Sequence, residues 1–326
     1  MTGREENELK KKDKIEFLLS NSSIILRKYY LSMTKKTYST KESYLRYVID
    51  FFDYLKTFNF DVNDIKAFST ILPSDINGYI TYLTEKNNKE SIIASRLYAI
   101  KNFFNYLKKD RIIQYNPCTD IEIPSINKEP NVVCLNKKEI EKVLNNIENG
   151  VGSSRAINFQ KKWSSRDKAI FLLGVTTGLR VTAISEINIE DINFNEKTIQ
   201  VVEKGNVTRE CHLSEKTIMA IHQWIIDRNE IMGDYYSPAL FISNRKTRIT
   251  TRSIEELINK YTYNINKKIT PHKLRSTCAT TIYQKTGDIY LTANLIGHKN
   301  IQNTRKYAKV SADQKRKAAV IMDEII

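Results

Sequence analysis

The chain has little of what would cross-link or anchor it. Four cysteines in 326 residues, Cys118, Cys134, Cys211 and Cys278, stand far apart with no C-x-x-C pair. That spacing suggests neither a disulfide framework nor a zinc site, and it fits a reducing, cytoplasmic setting. No cluster of metal-ligand type is legible, there are only four histidines, and neither an internal repeat nor a Gly/Ser-rich segment is present. The longest strongly apolar stretch, Ala169 to Val175, falls far short of the about 20 residues that span a bilayer. It reads as a buried helix segment. The opening MTGREENELKKKDK is charged where a signal peptide carries an apolar core, so none is expected.

What the chain does have is positive charge. The formal net charge is +15 and the pI near 9.4. Such an excess favours a polyanion, most simply nucleic acid, because each phosphate contact releases condensed counterions. An anionic membrane surface is the competing partner, but no isolated basic amphipathic helix lies beside an anchor. A hydrophobic content of 41% is ordinary for a globular protein, and 326 residues suggest two domains.

Residues 1–20 read as a charged arm, mobile or marginally helical. Over 21–117 the pattern is helical. Ser39 and Glu42 form a capping box before the apolar face Tyr44, Leu45, Val48, Phe51, Phe52 and Leu55. A second helix starts at Ser74 or Asp75, and a third covers about Ser91 to Lys108. Three of the six prolines, Pro117, Pro124 and Pro130, stiffen the linker expected over 118–134. The second domain, 135–326, opens with a helix after Asn136, with Glu139 in capping-box position. A helix over about 165–177 ends naturally at Gly178. Thr198–Glu203 alternates as a strand, and Gly205-Asn206 turns it into a partner at 207–213. Helices follow at about 214–230, 252–265, 271–286 and 288–296. The fold class is mainly α with a small β-sheet.

Six residues of the second half suit one chemistry: Arg180, Lys204, His272, Arg275, His298 and Tyr307. Thr270-Pro271 reads as a helix start, which places His272 and Arg275 on one face near the positive end of that helix. Alone, H-x-x-R reads equally as a capping histidine and a solvated arginine. Arg180 follows a glycine-terminated apolar helix and precedes Val181, Ile184 and Ile187, so it is partly buried and needs an anion. Glu186, Glu190 or Asp191 would satisfy it in the plain structural alternative. Lys204 falls in a turn, where most lysines are solvated, and Tyr307 is one of 18 tyrosines. Taken together, a phenol among cations suits attack on a phosphodiester, with the cations neutralising charge that builds on phosphorus.

The local contexts narrow the reading. TTGLR ending at Arg180, VVEKGN around Lys204, PHKLR from His272 and LIGHKNIQNTRKY from Leu295 to Tyr307 resemble the tyrosine recombinase (phage integrase, Xer and Cre-like) family. The resemblance covers most of 135–310 and, more weakly, the segment before it. It implies an all-helical, SAM-like core-binding domain and an α+β catalytic domain. It also implies that Tyr307 forms a 3′-phosphotyrosine, that Arg180, Arg275 and His298 hold the pentavalent phosphorus, and that His272 assists proton transfer. Lys204 would enter the minor groove and protonate the departing 5′-oxygen. The bond energy stays in the covalent intermediate, so the resemblance implies no cofactor, neither ATP nor a metal.

One departure stands out. Much of the family carries an acidic residue three positions after the first arginine, buttressing the active-site histidine; here that position is Ala183, with Glu186 a turn further on as a possible substitute. After Tyr307, a tail helix expected over 311–326 ends in Ala319, Val320, Ile321, Ile325 and Ile326. Relatives exchange such a tail within a tetramer on paired inverted-repeat half-sites of double-stranded DNA; the alternative is packing on its own domain. Aromatic and basic residues from Tyr98 to Lys109 are a candidate DNA-facing surface, and the roughly 35 residues ahead of the core-binding helices are too few for a full arm-binding domain. A two-domain recombinase is therefore expected, either Xer-like or the integrase of a mobile element. Two other readings remain open at this stage. A type IB topoisomerase-like enzyme would relax supercoils without pairing sites, and a non-catalytic DNA-binding regulator would bind without cleaving.

Overall fold

The computed structural model describes residues 2–20, 22–123, 132–203, 207–298 and 300–308. Lys204, part of the expected linker and the tail over 311–326 lie outside the described residues. The chain divides into two compact units, Glu5–Glu129 and Pro130–Ile326, the latter together with Met1–Arg4. Among the described residues no helix is long and apolar enough to cross a membrane.

The first unit is all-helical, with α1 (Gly3–Ser20), α2 (Ile24–Ser32), α3 (Tyr38–Lys56), α4 (Pro73–Glu85) and α5 (Glu90–Lys109). Its core is aromatic. Phe51, Phe52, Phe68, Phe103 and Phe104 are buried with Tyr29 and Tyr79, several in edge-to-face pairs with centroids 5.1–5.6 Å apart, an arrangement that adds to simple area burial. The expected arm is α1, and its Ile15 is fully buried in this core. The cap of α3 is Thr37, whose hydroxyl accepts from the Thr40 N–H at 3.3 Å, rather than Ser39. Glu42 pairs instead with Arg46 one turn on, at 3.0 Å. In α5 the candidate DNA face shrinks. Phe103 and Tyr106 join Phe104 in the core, which leaves Tyr98, Lys108 and Lys109 exposed. Cys118 is also part of that core, with Ile121 and Ile123 packed against it, so packed chain continues into the segment read as linker.

The second unit is built on α8. Its elements are α6 (Lys137–Asn149), α7 (Ser154–Lys161), α8 (Ser164–Thr177), α9 (Val181–Glu186), β1 (Ile192–Asn193), β2 (Thr198–Glu203), β3 (Val207–His212), α10 (Glu215–Met232), α11 (Thr251–Tyr261), α12 (Pro271–Thr286), α13 (Ile289–Ile296) and α14 (Gln302–Arg305). Ala169 through Val175 are all buried, so α8 is apolar on every side and sits among α6, α10 and α12. Gly174 lets α12 approach closely, since a Cβ there would meet Leu274 Cδ1 at 2.9 Å. The capping box expected at α6 is present: Asn136 and Glu139 exchange bonds of 2.9 and 2.8 Å, a motif of about 1 kcal/mol. The sheet is antiparallel in the order β1-β2-β3, and β2 and β3 run in register from Thr198↔His212 to Glu203↔Val207. Thus the expected hairpin forms, with a two-residue strand added at its edge.

Candidate active site

Three elements converge through glycines. Gly178 ends α8 in the left-handed region at φ 62°, and a Cβ there would lie 3.1 Å from Ile296 and 3.3 Å from Cys278. Only glycine satisfies both the backbone angle and the close approach. The turn brings Arg180 to the residue preceding α9. A helix of six residues is marginal alone. Arg248 straps its end, donating to the Ser185 and Ile187 carbonyls at 3.3 and 3.1 Å and to Asn188 Oδ1 at 2.6 Å. Gly297 ends α13 in the same left-handed way, at φ 67°, and delivers His298.

Arg275 is the most deeply held member of the set. It is 1% exposed on α12, and its Nη1 donates to the Gly178 carbonyl at 2.7 Å. The C-terminus of α8 thereby fixes the guanidinium. His272 lies one turn earlier on the same helix, at its N-terminal end, and is exposed. Its pKa is pushed below the ordinary value by partial desolvation and by Lys306, Arg275, Lys273 and Arg180, in that order. His298 is half-buried and pushed down further, to about 4, first by burial and then by Arg275, Arg180, Lys306 and His272. Its Nδ1 lies 2.8 Å from the hydroxyl of Thr304, a fully buried residue.

Tyr307 follows α14 and is 3% exposed. Its ring stacks on His298 at 6.2 Å and 18° and packs in a small cluster with Cys278, Ala279 and Ile296. The Lys306 ammonium lies 5.0 Å from the Tyr307 ring centroid. Among the described residues the Tyr307 hydroxyl has no hydrogen-bond partner. A buried phenol in that state is unusual, because such groups are normally satisfied.

Five of the six expected residues, Arg180, His272, Arg275, His298 and Tyr307, are therefore brought into one neighbourhood from separate segments. Lys204, between β2 and β3, lies outside the described residues. The hairpin that carries it is tied to the site, because Arg209 on β3 donates to the Leu295 carbonyl of α13 at 2.6 Å. Ala183 is buried in the α8 core. Among the described residues the charges acting on His272 and His298 are positive, and Glu186 is not among them.

Sequence reasoning missed Thr304, Lys306, Arg209 and Arg248. Thr304 and Lys306 lie inside the motif around Tyr307, where spacing was the available signal; Arg209 and Arg248 act through backbone carbonyls distant in sequence, which leaves none. The four cysteines are free. Burial pushes the Cys278 thiol up to about 12 against the opposing pull of Arg275 and Arg209, so it is no nucleophile at neutral pH.

Comparison with known proteins places this geometry. The profile of the Phage integrase family matches residues 134–314, and that of the Phage integrase N-terminal SAM-like domain matches 26–111. A tyrosine recombinase XerC of Caldanaerobacter subterraneus subsp. tengcongensis is 30% identical over 310 residues, spanning 89% of this chain and 83% of that protein. A tyrosine recombinase XerD of Oceanobacillus iheyensis is 25% identical over 278 residues, spanning 84% of this chain and 88% of that one. Among solved structures, the Tn1549 transposon integrase in complex with transposon right end DNA has a TM-score of 0.68 at 19% identity, covering 92% of this chain and 98% of that one. The XerH site-specific recombinase bound to its difH substrate has a TM-score of 0.66 at 21% identity, covering 91% and 84%. At those identities the two structures speak to the fold.

Proposed function

Because the chain belongs to the phage integrase family and is a tyrosine-type site-specific DNA recombinase, we propose that Tyr307 is its nucleophile and that Arg180, Lys204, His272, Arg275 and His298 serve the scissile phosphodiester. The Tyr307 oxygen attacks phosphorus while its proton passes to the neutral ring of His272. The bond to the phenol forms as the bond to the 5′-oxygen breaks, and that oxygen takes a proton from Lys204. The products are a 3′-phosphotyrosine and a free 5′-hydroxyl. Attack by a second 5′-hydroxyl reverses the step and rejoins DNA, so this chemistry uses neither ATP nor a divalent metal.

The charges fit these roles. Planar guanidinium groups bind phosphate oxygens in pairs. A Thr304 hydroxyl that donates to His298 Nδ1 leaves Nε2–H to donate to the same phosphate. Neutral His272 suits proton acceptance, and its lowered pKa keeps it neutral at physiological pH. The buried position of Tyr307 means that the phenol turns outward when DNA is engaged. What carries the reading is that Arg180, His272, Arg275 and His298 gather with a buried, hydrogen-bond-free phenol, and that only cations act on the histidines among the described residues.

The partner is DNA. In finer detail, the substrate is a duplex with inverted half-sites, each held by both units of one subunit. A homotetramer joins two such duplexes, with the tail over 311–326 exchanged between neighbours. The biological task is integration and excision of a mobile element or Xer-type resolution. The decisive test uses target duplex nicked near the cleavage point, incubated in EDTA with wild type and with Tyr307→Phe. Wild type alone is expected to form a covalent adduct on a denaturing gel. Tight, salt-sensitive binding by wild type without any adduct would overturn the catalytic reading in favour of a DNA-binding regulator.

A further inference from the structure

Lys306 is a cation of the site to which no role has been assigned. It closes α14, is half-buried, and carries its ammonium 5.0 Å from the centroid of the Tyr307 ring. The plain alternative is a last-turn lysine favoured by the helix dipole. That explanation is weak here, because α14 has only four residues and little dipole to offer. The surroundings also argue against it. Arg180, Arg275 and Lys273 also disfavour the protonated form of His272, so Lys306 stands in a neighbourhood of like charge. Its ammonium, beside the Tyr307 ring, gains when negative charge develops on that phenol.

We propose that Lys306 is a positioning and charge-tuning residue of the tyrosine chemistry, holding the Tyr307 ring and stabilising the negative charge that the phenol acquires as it attacks phosphorus. The inference rests on Tyr307 being the nucleophile. A cation over an aromatic face orients the ring in the resting state. The same charge is worth more once the phenol proton has left, so its effect falls on the transition state rather than on ground-state binding. The second effect is on the acceptor. Lys306 is the leading charge acting on His272 and also acts on His298, and in both cases it disfavours the protonated ring. The groups facing these rings are Arg275 and Lys273 from α12, Arg180 from the start of α9 and Lys306 from the end of α14. Removing one cation makes both histidines easier to protonate, which takes the proton acceptor away at higher pH.

The test follows the covalent step under single-turnover conditions. Protein is in excess over the nicked duplex on which wild type forms its adduct, from about pH 5.5 to about pH 8.5, the range in which histidines titrate. Lys306→Gln is expected to form adduct about tenfold more slowly at neutral pH, the effect of one partly screened charge, and its acid limb moves to higher pH. Lys306→Arg restores most of the rate and returns the limb toward its wild-type position. A Lys306→Gln profile equal to wild type, with Tyr307→Phe inert, would overturn this inference alone. So would a uniform slowing with an unmoved limb and no rescue by arginine, the mark of a merely structural role. Adduct formation by Tyr307→Phe would overturn the nucleophile assignment and this inference with it.

Discussion

Asp167 and His298 both sit inside the catalytic unit and both are ringed by cations, yet the two clusters are built in opposite ways. Asp167 is fully buried. Its Oδ1 accepts from Arg166 Nε and Nη2 at 2.9 and 2.7 Å, and its Oδ2 from Tyr261 at 2.9 Å and Lys260 at 3.4 Å. Arg166 also lies over the Trp163 ring at 4.4 Å and donates to the Ile242 carbonyl at 2.8 Å. Here the negative charge comes from the chain, and the cluster joins α8 to α11 as a finished structural part. Around His298 and His272 the charges among the described residues are all positive. Negative charge brought by a DNA phosphate would complement them. One cluster thus completes the fold, and the other is suited to a substrate phosphate.

Breaking the first cluster should have the largest effect. Asp167→Ala leaves Arg166 and Lys260 without their buried carboxylate and is expected to cost about 3–5 kcal/mol, read from urea denaturation of the full chain. A loss below 1 kcal/mol would mean that the pair is solvated and the contrast false. Next comes Arg180→Lys, which keeps the charge and removes the planar fork. It should lower the adduct rate about a hundredfold with little change in unfolding midpoint. An unchanged rate would show that a point charge suffices there.

Thr304→Val is a finer probe of the second cluster. It frees His298 Nδ1 from its 2.8 Å hydrogen bond, and the expected loss is about tenfold in adduct rate. Threonine at that position also packs fully buried, so Thr304→Ser should retain most of the rate if the hydroxyl matters. The smallest effect is on pH. The His298 pKa is about 4 in the folded chain against an ordinary 6.5. Between those values the unfolded chain binds more protons than the folded one, so this residue's contribution to stability falls as pH drops through that window. Comparing wild type with His298→Gln in urea at neutral pH and near pH 4.5 should show a shallower fall in the variant. Bound DNA, by supplying anions, should reduce the wild-type fall.

Local signals made much of this legible in advance. The capping box at α6, the seven buried residues of α8, the β2–β3 hairpin and the Thr270-Pro271 start of α12 each follow from short-range rules. The candidate site residues could be singled out because they stand in motifs of fixed spacing. What stayed hidden depends on contacts across the chain. The helical character of α1 is faint in a stretch dominated by charge, and its deepest anchor is the single Ile15. The short α9 persists because Arg248 straps it. Phe103 and Tyr106 fall in the stretch read as a DNA-facing candidate, and the packing of α3 on α5 takes them into the core. The Asp167 cluster joins residues more than ninety positions apart, a separation at which no periodicity speaks.

The most direct test of the central claim is to map the covalent bond itself. Wild-type adduct formed on nicked target duplex would be digested with nuclease and protease and the nucleotide-bearing peptide sequenced by mass spectrometry. The expected result is a 3′-phosphonucleotide on Tyr307. A nucleotide attached to any other of the 18 tyrosines, or to a serine, would contradict it.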